Sequence, residues 1–280
     1  NADPQRVAYA TSVGKQIEQQ FPTMFAEPEV QFPWLATLAH NEQHPDEVKR
    51  QFGALAGTRP HDAWWSCAAA ETSLREQGKN DNNSMPQPVW RVAACGARPK
   101  LDGRLDEEFW QAASPIALRS TLGDDHDWPA EALAASDGKF LYLAFRCRQP
   151  DVSNDAPLAS KRTRDPDLSG NERIELFLDV DRDRATWYRL VIDHRGWVAE
   201  DCWGDKSWNP TWYVAVDRTA GAWTIEAALP MNALVPTAPQ AGAIWAIGAQ
   251  RIVPGLGFQS WSAPAAVTPM PEGFGLMEFE

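Results

Sequence analysis

Residues 171–179 read Asn171-Glu172-Arg173-Ile174-Glu175-Leu176-Phe177-Leu178-Asp179. Ile174, Leu176 and Leu178 face one way and Glu175 and Phe177 the other, the alternation of a strand with one face toward a core. Outward from this stretch, strand patterns recur over 89–95, 116–120, 132–136, 140–147, 172–180, 187–192, 197–202, 211–216, 223–228, 243–253 and 258–262. Asp137-Gly138, Arg195-Gly196 and Ala220-Gly221 supply turns between them. One short helix is expected over 106–112. Many short strands with a single helix predict a mainly β fold, a two-sheet antiparallel β-sandwich.

The first 79 residues read differently. Val7, Ala8, Ala10, Val13 and Ile17 recur at near-helical spacing. A second short apolar face covers 33–38. Val48, Phe52 and Leu55 form a stripe over 46–55, and Trp65, Ala69 and Leu74 another over 62–76. The sandwich is thus preceded by a small α-helical segment of three or four helices with Pro-rich joints. Its acid-rich, Pro-broken turns resemble the end of a tetratricopeptide-like helical array. The polar run 77–88 has linker chemistry. The expected organisation is a helical segment over 1–79, a linker and opening strand over 80–97, and the sandwich over 98–280.

The balance of 26 Lys and Arg against 38 Asp and Glu, a net charge of −12, excludes nucleic acid as the natural partner. It also disfavours anionic lipid. Apolar runs such as 244–248 and 141–145 fall far short of the roughly 20 residues that span a bilayer, so no membrane insertion is expected. The sequence opens at Asn1 with no charged-then-apolar stretch, so it is expected to be either a chain whose signal peptide was removed or a fragment of something longer.

Cys67, Cys95, Cys147 and Cys202 contain no CxxC pair. That spacing excludes a zinc ribbon, a thioredoxin-like motif and c-type haem attachment. Two readings of the cysteines stay open. They are buried free thiols, or, in an extracytoplasmic chain, Cys67 pairs with Cys95 and Cys147 with Cys202.

Asp179, Asp181 and Asp183 begin like an EF-hand loop, but Arg184 stands where Gly is needed and Leu190 where Glu is needed. A solvated turn is expected there. His40 and His44 lack the intervening general base of a zincin, and Pro45 follows, so they read as a surface pair. No nucleophile elbow, phosphate loop or dinucleotide fingerprint is present. No carboxylate pair presents itself as a glycosidase acid and base, so the chain is not expected to be an enzyme.

Trp is the compositional outlier, with 14 in 280 residues. Large flat rings fill a β core or line a ligand groove. Trp187, Trp197 and Trp223 are expected in the core. Trp208 and Trp212, in a loop bracketed by Trp, are the expected exceptions.

The order of blocks after residue 98 resembles the family-9 carbohydrate-binding module and its DOMON-like relatives. The resemblance rests on Leu101-Asp102-Gly103 through Phe109-Trp110, on Asp137-Gly138 through Phe145, on Asn171 through Asp179 and on Tyr188-Arg189-Leu190. Trp223-Thr224-Ile225-Glu226 through Pro230 and the blocks 242–251 and 260–262 complete it. It implies a non-catalytic, extracytoplasmic module (secreted, periplasmic or cell-surface) that binds a carbohydrate end.

The resemblance also places Glu175, Arg189 and Gln250 on neighbouring strands as the polar floor of the site. The family's two clamping Trp are missing. The stretch 165–170 carries no aromatic, and Phe274 is the only ring in 269–274. Trp208, Trp212 or Phe274 must then supply the apolar wall, and weak binding is expected. Structural calcium in the family implies Asp137, Asp151 and Asp155 as oxygen ligands.

Two alternatives accompany this reading. One is a protein-interaction module that kept the fold without the sugar. The other is a b-type haem domain using Met231, Met270, Met277 or His194.

Overall fold

The computed structural model of the chain describes residues 4–40, 45–58, 62–76, 85–150, 165–262, 267–268 and 270–280. The linker stretch 77–84, His44, Asp151 and Asp155 lie outside the described residues. The chain forms two compact units, Asn1–Val89 with Asp181–Thr186, and Trp90–Val180 with Trp187–Glu280.

Among the described residues, the first unit holds five α-helices: α1 (Pro4–Gln20), α2 (Pro22–Phe25), α3 (Pro28–His40), α4 (Pro45–Thr58) and α5 (Ala63–Glu76). Four of them begin on Pro, where the missing N–H costs no intrahelical bond. Asp62 caps α5 by accepting from the Trp65 N–H at 2.7 Å. Phe32, Leu35, Val48, Phe52, Trp64 and Cys67 form the core. The α5 stripe therefore runs through Trp64 and Cys67, one position off the predicted Trp65 stripe.

Buried Glu71 accepts from Arg182 Nε at 2.7 Å and Arg75 Nη1 at 2.6 Å. The turn expected to be solvated is thus part of this unit, and Arg184 is buried. Burial works to raise the Glu71 carboxyl, but Arg182 and Arg75 outweigh it and hold the group at about 2.

The second unit contains twelve described strands: β1 (Val89–Ala94), β2 (Ile116–Ser120), β3 (Ala130–Ser136), β4 (Phe140–Arg148), β5 (Arg173–Asp179), β6 (Tyr188–Asp193), β7 (Val198–Cys202), β8 (Tyr213–Thr219), β9 (Ala222–Pro230), β10 (Ile244–Val253), β11 (Gly257–Ser260) and β12 (Gly275–Phe279). Among the described residues, a single α-helix, α6 (Glu108–Ala112), and two short 3-10 turns (Met231–Ala233 and Pro271–Gly273) join them. One sheet runs β7-β6-β5-β10 and continues through β11 to the other, β2-β3-β4-β9-β8. On the second edge, β1 pairs with both β12 and β3. The ten residues of β10 make this closure possible. Its first half pairs with β12 and its second half with β11, while β5 occupies the other side. The result is the predicted antiparallel sandwich behind a helical segment. β12 was not among the predicted strands.

Ile174, Leu176 and Leu178 of β5 meet Leu143, Phe145, Ile225 and Leu229 between the sheets, as the alternation of β5 requires. Burial of each such side chain stabilises by about 1.5–3 kcal/mol. Two carboxylates lock the margins. Glu226 of β9 accepts the N–H groups of Asp102 (3.0 Å) and Gly103 (2.8 Å) and the Trp110 indole (3.0 Å). Gly103 has φ +82°, and a Cβ there would lie 2.2 Å from the Asp217 nitrogen. The Asp-Gly turn of the sequence block is thus demanded by close approach to β8.

Glu172 and Arg251 form the second lock, a fully buried ion pair at the sandwich end. Arg251 Nε lies 2.9 Å from Glu172 Oε1, and its Nη1 donates to the Trp128 carbonyl at 2.7 Å and its Nη2 to that of Arg148 at 2.6 Å. The Trp223 indole donates to the same carboxylate at 2.7 Å.

All four cysteines are free, which corrects the disulfide reading. Cys67 packs in the helical core and takes the Gln87 amide at 3.3 Å. Cys147 lies between the sheets, where burial pushes its thiol up to about 12. Among the described residues, no helix is long and apolar enough to cross a membrane.

Two outcomes are expected. Arg251→Met leaves the Glu172 carboxylate uncompensated and lowers sandwich stability by about 3–5 kcal/mol in urea melts; a loss under about 1 kcal/mol contradicts the lock. Glu71 is held below its usual value, so its contribution is complete above about pH 4.5 and lost as pH falls toward 2. Wild type therefore loses more stability over that window than Glu71→Gln, by helix signal at 222 nm. Parallel curves contradict the pair.

Candidate functional site

The outer face of β5, β6 and β10 is set by register. Glu175 on β5 lies opposite Gln250 on β10 and Val191 on β6, and Phe177 lies opposite Gly248 and Arg189. Alternation therefore puts Glu175, Phe177, Arg189, Gly248 and Gln250 on one face, away from the core. Arg189 continues across to Asp201 on β7.

The predicted polar trio does come together. Arg189 Nη2 sits 3.2 Å from Glu175 Oε2 and its Nη1 3.4 Å from Asp201 Oδ2. Gln250 Nε2 is 3.5 Å from Glu175 Oε2 and donates to the Val267 carbonyl at 3.2 Å. Arg173 Nε binds the other Glu175 oxygen at 2.7 Å. Glu175 thus serves three donors and is only 3% exposed, and Gln250 is 4% exposed. Arg189, with 36% of its side chain exposed, is the member of the trio open to solvent.

Phe274 reaches the same face but is buried. It stacks on Phe177 with centroids 5.8 Å apart and meets Trp187 edge-on at 5.9 Å. Gly248 makes room for it, since a Cβ there would lie 2.7 Å from the Phe274 ring. Half-buried Trp187 precedes Arg189 by two residues, and its carbonyl accepts the N–H of Trp203, whose own side chain is exposed. Trp187 had been expected in the core. The only signal that could have moved it is its parity with Arg189.

Trp208 and Trp212 are not brought to this face. Trp208 packs on Tyr188 at 4.6 Å and donates to the Ala233 carbonyl at 3.2 Å. Trp212 donates to Glu200 at 3.1 Å and lines a cleft of about 400 Å³ with Tyr213 and Leu101. Tyr188 and Glu200 share the parity of Leu190, so both Trp lie on the core side of β6 and β7. Of the other rings expected in the core, Trp223 is buried there, while Trp197 lies under the Arg195 guanidinium at 4.2 Å.

Asp137 makes a poor cation ligand. One oxygen accepts the N–H groups of Lys139 and Phe140 at 2.8 Å each, and the other the Tyr142 hydroxyl at 3.0 Å. Burial works to raise its carboxyl, yet these bonds and Arg98 hold it below the usual range. Its lone pairs are engaged in shaping the turn, so it does not fit the calcium expectation. In the helical unit, burial first and Asp181 second push the Asp183 carboxyl up, while its Oδ1 accepts the N–H groups of Ala185 and Thr186 and its Oδ2 the Thr186 hydroxyl. His40 is exposed on α3. Met231 and Met277 fill the sandwich core, buried His194 packs edge-on against Trp223, and Met270 is exposed.

Solved structures share this arrangement of strands. A family-9 carbohydrate-binding module from Caldicellulosiruptor kristjanssonii matches in complex with cellotriose at TM-score 0.51 and 17% identity, over 69% of this chain and 94% of that one. Its complex with glucose matches at 0.52 and 17%, over 69% and 96%. A candidate carbohydrate-binding protein from Bacteroides uniformis matches at 0.53 and 15%, over 69% and 100%. The sandwich has the family-9 module fold. No family model matches the sequence, and no curated protein does. Two of these structures are described as carbohydrate-binding modules and the third as a candidate carbohydrate-binding protein.

The packing of Phe274 gives a direct test. Gly248→Ala should cost about 1–3 kcal/mol through overpacking. Phe274→Leu in the same chain should recover part of that loss, seen as coupling in a double-mutant cycle. Strict additivity would mean that Phe274 does not rest on Gly248.

Proposed function

We propose that this chain carries a non-catalytic carbohydrate-binding module that acts outside the cytoplasm and takes the end of an oligosaccharide on the outer face of β5, β6 and β10. The observation that carries this reading is the convergence of Glu175, Arg189 and Gln250. They come from three strands and form one connected polar group bordered by Trp187 and Phe274. Glu accepts from hydroxyls, Arg donates through a rigid fork and Gln does both. The same fold binds cellotriose and glucose in the Caldicellulosiruptor module.

Affinity is modest in this reading. Hydroxyl hydrogen bonds exchange with water and give about 0.5–1.5 kcal/mol net each. The apolar face falls to half-buried Trp187, because Phe274 is buried against Phe177. A dissociation constant on the order of 10⁻⁴–10⁻³ M follows, about 4–5.5 kcal/mol.

The burial of Glu175 and Gln250 favours a second reading, in which the module has kept the fold and contacts another protein domain instead. Calorimetric titration with cellotriose separates the two. Binding in the stated range is expected, weakened about tenfold or more by Arg189→Ala or Trp187→Ala. Trp208→Ala, on the far side of the sheet, should leave it unchanged. Silence of the wild type at about 10 mM sugar hands the case to the interaction module. Binding indifferent to Arg189→Ala puts the site elsewhere.

A further inference from the structure

The opposite sheet carries a cleft that the proposed sugar site does not use. Its volume is about 600 Å³, and β2, β3, β4 and β9 all contribute to it. That size lies inside the roughly 300–1,000 Å³ range of small-ligand sites. Register places Ala117, Glu131, Arg146 and Thr224 in one row across the outer face of the four strands. Arg148 lies two residues beyond Arg146 and so projects from the same face.

The charges in this cleft are unequal. Arg146 Nη1 pairs with Glu131 at 2.6 Å, and Arg119 Nη1 with Asp125 at 2.8 Å. Both carboxylates are thereby matched. Arg148 is the third guanidinium on the lining; its side chain is exposed and makes no hydrogen bond or ion pair among the described residues. Three cations against two anions leave one positive charge in a protein whose net charge is −12. Pro129 and Ala222 lie beside it as a small apolar patch, and Thr224 adds a hydroxyl.

We propose that this cleft is a second carbohydrate site, selective for a sugar bearing a carboxylate, a uronic acid. The Arg148 fork takes the carboxylate in bidentate fashion, the geometry that guanidinium favours over a point charge. The C–H face of the ring lies on Ala117, Pro129 and Ala222. Thr224 and the remaining lone pairs of Glu131 meet the ring hydroxyls. No neutral sugar satisfies Arg148, and no simple anion uses the apolar patch.

Ligand-observed NMR on the full chain with glucuronate, glucose and acetate tests this. Glucuronate should bind at least about tenfold more tightly than either other probe, and more weakly as salt rises. Arg148→Ala, an exposed position, should weaken glucuronate about tenfold while the thermal midpoint and cellotriose binding stay unchanged. Arg189→Ala should leave glucuronate binding intact, so failure of the β5–β6–β10 site and failure of this one are distinguishable. The proposal is overturned if acetate or glucose matches glucuronate. It is equally overturned if Arg148→Ala has no effect, or if Arg189→Ala abolishes glucuronate binding.

Discussion

The buried pair of Glu172 and Arg251 is the constraint on which the sandwich depends. Alternation along β10 sends Trp245, Ile247, Ala249 and Arg251 inward together, so a guanidinium arrives where the pattern asks for an apolar side chain. It is tolerated because every direction is answered: the Glu172 carboxylate, the carbonyls of Trp128 and Arg148, and the ring of Trp128 at 5.4 Å. These partners come from the residue just before β5, the approach to β3 and the end of β4. One side chain therefore ties both sheets at one end. A slip of β10 by one residue would throw the charge outward and turn Gln250 inward. The register that protects Arg251 is thus the register that sets Gln250 opposite Glu175.

The two faces of β5 then have different duties. Ile174, Leu176 and Leu178 close the core, while Glu175 and Phe177 begin a second buried layer on the outside. Phe274, resting on Phe177 over Gly248, occupies the apolar part of that layer and leaves Arg189 and half-buried Trp187 as its open margin. The geometry accounts for the modest affinity proposed above. The polar floor is intact and already satisfied by protein donors, so a sugar must compete with Arg173 and Val267 for Glu175 and Gln250.

Much of this was legible in the sequence, for local reasons. The alternation in 171–179 gave the strand and its two faces, and Asp-Gly pairs marked turns that the structure uses, Gly103 most strictly. The resemblance to family-9 modules brought Glu175, Arg189 and Gln250 together from distant positions. What escaped depended on partners far along the chain. Gly275–Phe279 is only five residues long and pairs with β1 and β10 far back along the chain, so it offers too little local pattern to read as β12. Glu172 and Arg251 stand 79 residues apart, and nothing local announces that they pair. Trp208 and Trp212 lie in a loop, where parity does not say which side of the sheet a ring will take. Trp187 sits one position ahead of its strand, and a one-residue shift of parity moves it from the expected core to the outer face.

The account stands or falls on which face of β5, β6 and β10 meets a sugar. Backbone amide NMR of the labelled chain during a cellotriose titration reads this directly. Progressive shifts should gather at Glu175, Trp187, Arg189, Asp201 and Gln250, with Leu143, Ile225 and Trp212 unmoved. Shifts centred on Trp208, Trp212 and Tyr213, with Arg189 silent, would contradict it.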